Sequence, residues 1–249
     1  MITANSGLTT DMISNLNLNW LVNKIFTTLL FRLINCLNNG SEKIDSFLVR
    51  RHLEKADVAN ADSIFTFTTK RELRALYKLA AACPHGTVAL EVGSYLGASS
   101  CYIVAGLALV NGHLICVDTW ENETMPEGKR DTFADFQKNT NGAKHRIEAI
   151  KKRSEEISDD QIRSPLNLVF IDADHSYAAV KNDFECVQKW LAEDGIIAFH
   201  DFSSIAFEGV SRVIGEALAS GKWMIMGQVD NLVWIKRAKW QTPEWLSNA

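Results

Sequence analysis

The sequence has little charge excess of either sign: across 249 residues, 26 lysines and arginines stand against 30 aspartates and glutamates, a formal charge of −4. Its nearest approach to a basic run, Lys151-Lys152-Arg153, is too short for the positive stripe that draws in a phosphate backbone, so no nucleic-acid partner is expected. Cysteine is sparse. Cys36, Cys83, Cys101, Cys116 and Cys186 are odd in number, scattered and without a C-x-x-C pair. That pattern excludes a disulfide frame or a zinc site as the organising device and points to free thiols in a reducing, cytoplasmic setting. There is no internal repeat and no low-complexity tract.

A long clean hydrophobic run is also missing. The nearest is "LNWLVNKIFTTLLFRLINCLNNG", residues 18 to 40, which Lys24, Arg32 and several asparagines interrupt, with neither the basic flank nor the small-residue cleavage site of a secretory leader. Stable membrane insertion is not expected. The stretch reads as a helix or helical pair that packs on the main domain or joins copies of the chain into a homo-oligomer; an interfacial helix lying on a membrane is the other reading.

What is present is core material in an alternating pattern. A hydrophobic content of 47% is enough to bury one larger α/β domain. Residues 1–64 are expected to form an N-terminal helical extension, with a short helix and linker over 41–65, and residues 65–249 the main domain. "TTKRELRALYKLAAAC" opens with a capping-box pattern, Thr69 to Glu72, and carries apolar residues at helical spacing. Then strands are predicted at 87–93, 113–118, 146–150, 167–172 and 196–201, with helices at 98–110, from about Glu155, after Ser176 and through 207–220. "KWMIMGQ" and "NLVWIKR" flank Val229-Asp230 as a hairpin-like pair. Such alternation demands right-handed crossovers and a parallel sheet covered on both faces, closed by an antiparallel edge.

Two places on this frame carry polar residues that a buried strand has no use for. The first is "LEVGSYLGASS", where Glu91, Gly93, Ser94 and Gly97 leave the first strand and open a helix. It is not G-x-G-x-x-G: Tyr95 stands where a pyrophosphate would need glycine, and negative charge beside the loop suits a cationic ligand better than phosphates. The second strand ends in Asp118, where a carboxylate can accept both hydroxyls of a ribose. Together these favour a cationic nucleoside over the plainer reading of a tight turn and a cap. The second place is "FIDADHSYAAV", residues 170 to 180, whose Asp172, Asp174 and His175 end one strand, while His200 and Asp201 end the next. Polar side chains at the carboxyl tips of such strands meet a ligand in the crevice outside the sheet.

"EVGSYLGASS", "VDTW", "FIDADHSYAAVKND" and "LAEDGIIAFHD" resemble the successive motifs of class I S-adenosylmethionine-dependent methyltransferases, specifically the methyltransferase 24 family. The resemblance covers roughly residues 65 to 236. It implies a Rossmann-like, seven-stranded, mostly parallel sheet with the last strand antiparallel, and S-adenosylmethionine over the carboxyl ends of the strands. Carried across, Glu91, Gly93, Ser94 and Gly97 would line the methionine part of the cofactor, with Asp172 beside it. Asp118 would take the ribose, Ser154 the adenine, and Trp120 would either cover the adenine or serve as packing.

The implied reaction is transfer of a methyl group to a small-molecule acceptor, with O-methylation of a sugar or other secondary metabolite expected. A hydroxyl acceptor needs help in losing its proton. Asp172, His200 and Asp201 can hold a divalent cation such as Mg2+ that lowers the acceptor's pKa; His175 or His200 can act as general base; or the groups are helix caps, Asp174 and Ser176 most readily. Phe133 and Phe136, in the polar stretch 121–145, can face an apolar acceptor or form the packed side of a short helix. An NAD-dependent dehydrogenase and a non-catalytic nucleoside-binding scaffold are the alternative functions.

Overall fold

The computed structural model describes residues 42–122, 128–162 and 165–239. The expectations for residues 18–40, including a helical contact between copies, lie outside them. The chain divides into two compact units, Met1–Leu48 and Val49–Ala249, and the second holds the sheet. Among the described residues no helix is long and apolar enough to cross a membrane.

A first helix, α1, spans 42–55. The next, α2 (Lys70–Ala81), starts as its sequence dictates: the Thr69 hydroxyl accepts from the Glu72 N–H, and the Glu72 carboxylate accepts from the Thr69 N–H. Strand β1 (Val88–Val92), helix α3 (Ala98–Leu109) and strand β2 (His113–Asp118) follow. Then come α4 (Phe133–Thr140), β3 (Ile147–Lys151), β4 (Leu166–Ile171), α5 (Tyr177–Gln188), β5 (Leu191–Phe199), α6 (Glu208–Ala219), β6 (Trp223–Val229) and β7 (Leu232–Arg237). The seven strands form one sheet in the order β3-β2-β1-β4-β5-β7-β6. Neighbours from β3 through β5 are parallel, and β7 runs antiparallel to both β5 and β6.

Alternation along the buried strands sends successive side chains to opposite faces. On one face Leu90, Val92, Val169, Ile171 and Ile197 pack with Val180, Phe184 and Val187 of α5 and Val210, Val213 and Ile214 of α6. On the other, Ala89, Cys116, Phe170 and Ala198 meet Leu76 and Ala80 of α2 and Ile103 and Leu107 of α3. Residues ahead of α2 are core as well: Val49, Leu53, Val58 and Ile64 cluster with Leu73, Tyr77, Cys101 and Tyr102.

The structure departs from the sequence expectations in three places. No helix follows Glu155; two single 3-10 turns, Ser154–Glu156 and Asp159–Gln161, stand there instead. The side chains of Glu156 and Gln161 fold back onto the backbone N–H groups of Arg153 and Ser158, the local competition that makes polar stretches poor helices. Strand β5 begins earlier than predicted and ends at Phe199, because Asp201 turns the chain at φ 58°. The hairpin turn falls one residue later, on Asp230, at φ 50°.

Sheet order reverses between β1 and β4, so their crossovers run to opposite sides and leave a crevice at their carboxyl ends. The polar residues singled out in the sequence leave the sheet at this place.

Candidate active site

The crevice is a cavity of about 890 Å3 whose wall includes Gly93, Ser94, Asp118, Ser154, Asp172 and Asp201. Gly93 makes it possible. It leaves β1 at φ 87°, and a Cβ there would come within 2.1 Å of the Asp172 carbonyl oxygen, so only glycine lets the β1 exit run against the β4 exit. Gly97, also at φ 87°, begins α3. It is not on the cavity wall; a Cβ there would strike Thr140 and Phe136.

Asp118 organises the loop. Its Oδ2 accepts from the backbone N–H groups of Ser94 and Tyr95, both at 2.8 Å, and its Oδ1 accepts from Trp120 N–H at 2.6 Å. The carboxylate at the end of β2 thus fixes the loop leaving β1, while still facing the cavity. Farther along the wall, Ser154 is buried and donates its hydroxyl to Asp183 Oδ1, and Asn182 Nδ2 donates to Glu155 Oε2 at 3.2 Å. Burial, only partly offset by the Ser154 hydrogen bond, pushes the Asp183 carboxyl up to about 6.

Two residues that the resemblance offers to the cofactor lie away from the cavity, Trp120 in the packed one of its two readings. Glu91 is fully buried on the α3 face of β1, where it accepts from Ser99 Oγ at 2.6 Å and from Ser100 Oγ, and it does not reach the cavity. Burial raises its pKa against the pull of those hydroxyls. Strand alternation is the reason: Leu90 and Val92 share one face, and Glu91 necessarily takes the other. Trp120 is likewise interior. Its ring packs 4.7 Å from Phe133 and 4.8 Å from Phe136, and its indole N–H donates to Tyr95 O. Phe136 is therefore the packed side of α4.

At the tips of β4 and β5 the charged groups converge. His175 Nε2 lies 3.0 Å from Asp201 Oδ2 and 3.5 Å from Asp172 Oδ1, yet it makes no well-directed hydrogen bond to either. It points between them. These three residues offer ligand atoms all within 4.8 Å of one another. His200 is placed differently from the expected metal ligand. Its Nδ1 sits 3.2 Å from Asp172 Oδ1 and 3.4 Å from Asp201 Oδ2, while its Nε2 lies 3.3 Å from Glu72 Oε2. Both ring nitrogens already face carboxylates, so this imidazole braces the pair from behind.

The electrostatics follow. Burial works against a charged His200, but Asp172, Asp201 and Glu72 outweigh it and push its pKa up to about 12. For His175 burial is again outweighed, by Asp172 and Asp201, and the value is pushed up to about 9. Despite their own burial, Asp172 and Asp201 are held below the usual carboxylate range by the two histidines. At neutral pH both imidazoles therefore keep their protons in this arrangement. Ser176 is the cap of α5, its hydroxyl accepting from Ala179 N–H at 3.4 Å, and Asp174 Oδ1 steadies it by accepting from Ser176 N–H at 2.7 Å.

Several residues on or behind the wall had no functional reading from sequence. Glu72 had been legible only as half of a capping box, although its Oε1 also accepts from Asn231 N–H at 2.8 Å. Asp183, a lone acid beside the apolar stripe of α5, was the one with a usable signal. Phe65, Phe67 and Phe207 line the cavity as well, and nothing in their local pattern marks them.

Residues 90–202 match the sequence model of a family described as a methyltransferase domain, methyltransferase 24. No curated protein matches the chain. Among solved structures, a protein of Corynebacterium glutamicum is similar at 15% identity over 78% of this chain and 92% of its own, with a TM-score of 0.55. The O-methyltransferase TomG of Streptomyces achromogenes, solved with S-adenosylmethionine, is similar at 18% identity over 76% and 90%, TM-score 0.53. An O-methyltransferase of Bacillus cereus, solved with S-adenosylhomocysteine, is similar at 16% identity over 75% and 91%, TM-score 0.50. At these identities the likeness is one of fold, and it agrees with the strand order. Residues 90–202 thus match a methyltransferase domain of the methyltransferase 24 family, and the sheet they help to build has the Rossmann-like methyltransferase fold.

Proposed function

We propose that the domain is an S-adenosylmethionine-dependent O-methyltransferase that acts on a hydroxyl of a small molecule. The observation that carries this reading is the pairing, across one cavity, of a loop held by Asp118 with a charged cluster at the tips of β4 and β5. A volume of about 890 Å3 lies in the range of ligand sites. Ser94 Oγ and Asn122 Oδ1 are buried in its wall without well-directed partners among the described residues, a condition that a bound polar ligand relieves. The residues present thus fit the cofactor.

Gly93 and Ser94 would hold its amino-acid part, Asp118 its ribose and Ser154 its base; Asp118 Oδ2 already accepts two N–H groups, and Oδ1, with one, keeps a lone pair for a ribose hydroxyl. Bound there, the cofactor's sulfonium supplies the methyl group. The chain's own task is to set the acceptor oxygen in line, exclude water and deal with the hydroxyl proton. Asp172, His175 and Asp201 suit a divalent cation such as Mg2+ or Mn2+, because two carboxylates and an imidazole nitrogen aim at one point. Such an ion would supply Lewis acidity to the acceptor oxygen. His175 and His200, protonated at neutral pH, are poor candidates for the general base until a cation or an acceptor disturbs the cluster.

Calorimetry on the full chain tests the reading. S-adenosylhomocysteine is expected to bind, with Mn2+ binding to the loaded protein followed by electron paramagnetic resonance. Binding of NADH in place of S-adenosylhomocysteine would overturn the proposal in favour of a dehydrogenase.

A further inference from the structure

The acceptor's side of the cavity has a chemical character that the cofactor's side lacks. Phe65 and Phe67 stand on its wall edge to face, ring centroids 5.1 Å apart at 82°, and they remain 56% and 55% exposed. The chain that carries them runs directly into the cap of α2, whose Glu72 lies 3.3 Å from His200. They share the cavity wall with the Asp172–Asp201 pair. From the other direction Phe207, on the same wall, sets its ring 4.3 Å from that of His175. Aromatic rings left open at a cavity, beside polar groups that handle a proton or an ion, mark a surface that expects an apolar ligand body.

Charge narrows the choice. The cations at the start of α2 and on α6 are already held: Lys70 by Asp62 at 2.7 Å, Arg71 by Asp230 at 2.7 Å, and Arg212 by Glu216 at 3.3 Å, the last also stacked 4.0 Å over the Tyr177 ring. Acids dominate instead, with Asp172, Asp174 and Asp201 on the wall and Glu208 on an adjoining recess that shares His175 and Phe207. Against the protonated imidazoles of His175 and His200 these four carboxylates still leave a net negative charge, an arrangement that rejects a diphosphate-bearing acceptor. Lys152 and Arg153 line the cavity too, but they adjoin Ser154, at the end assigned to the cofactor's base.

We infer that the acceptor is a neutral hydroxylated aryl compound, its ring held among Phe65, Phe67 and Phe207 and its hydroxyl directed at Asp172, His175 and Asp201. The inference rests on the methyltransferase reading above and adds the substrate class. Edge-to-face and offset contacts with the three phenylalanines favour a ring over an aliphatic body of equal area.

The test is calorimetric titration of the full chain, saturated with S-adenosylhomocysteine, with 1-naphthol, catechol, methyl α-rhamnoside and thymidine diphosphate. Both hydroxyaryl probes are expected to bind saturably, at least tenfold more tightly than the sugar or the nucleotide. Phe65→Leu and Phe67→Leu keep apolar area but lose the ring, and the exposure of both sites leaves folding intact. Each should weaken 1-naphthol about fivefold to tenfold while leaving S-adenosylhomocysteine affinity within twofold of the parent. Tighter binding of the rhamnoside or the nucleotide, or unchanged naphthol affinity in both variants, overturns the inference. Failure of S-adenosylhomocysteine to bind would sink the methyltransferase reading instead; the naphthol titration of the unloaded chain and its phenylalanine variants would still decide the character of the mouth.

Discussion

The two ends of the cavity are made from the same kind of chain position, a loop leaving the carboxyl tip of a parallel strand, yet they differ in how far their polar groups are already satisfied. At the β1–β2 end Asp118 accepts three backbone N–H groups, and the Ser154 hydroxyl donates to Asp183. At the β4–β5 end His175 Nε2 lies between two carboxylates without a well-directed bond to either. The first end is organised before any ligand arrives, as a binding site must be if affinity is not to be lost in ordering loops. The second holds unresolved electrostatics, the condition in which a small change of proton or ion has a large effect.

The sharpest way to break this comparison is to remove one carboxylate from each end. Asp118→Ala frees three backbone N–H groups at once and lets the loop leaving β1 relax. Affinity for S-adenosylhomocysteine should fall at least a hundredfold, roughly 3 kcal/mol. Asp201→Ala touches no part of that loop and should change the same affinity less than threefold. Equal losses in the two variants, measured by calorimetry, would show that the ends are not independent.

Sequence made the frame legible for reasons that are local. The Thr69–Glu72 capping box, the continuous apolar run of β2 and the apolar spacing of α5 each depend on neighbours in the chain, and the structure reproduces them. Site residues were legible where a strand's tip alone decides placement, as with Asp118, Asp172 and Asp201. They were misread where facing matters. Glu91 stands two residues before Gly93, but β1 turns it into the core, and Trp120, two residues past Asp118, packs on Phe136. The carboxylate at His200 Nε2 could not be read at all, because Glu72 lies 128 positions away and only the packing of α2 over the sheet brings it there.

A smaller effect is expected at Asp183, and it sharpens the claim that the cofactor end is preset. Burial raises this carboxyl from 3.8 to about 6 in the folded chain. A raised folded pKa contributes stability that is complete below 3.8 and is lost as pH climbs through about 6. Asp183→Asn removes the ionisation and keeps a partner for the Ser154 hydroxyl. Urea unfolding of both proteins at pH 4, 5, 6 and 7 should show the parent losing on the order of 2 kcal/mol relative to the variant across that range. A constant difference between the two at every pH would show that Asp183 ionises as freely folded as unfolded.

The last effect, counted per pH unit, concerns the β4–β5 end and asks whether its cluster trades a proton for an ion. Asp172 and Asp201, working against burial, keep His175 protonated up to about 9. An ion ligated by His175 Nε2 must displace that proton, so binding and deprotonation are linked. Between pH 6 and 8 Mn2+ affinity should rise with pH by up to about tenfold per unit, or 1.4 kcal/mol, with close to one proton released per ion. Titration in buffers of different ionisation enthalpy counts that proton. Replacing the imidazole, as in His175→Gln, should flatten the pH dependence while Asp172 and Asp201 still bind the ion more weakly. If the slope survives in that variant, the displaced proton comes from elsewhere in the cluster, and His200, with carboxylates at both ring nitrogens, is the group whose removal would then be tested.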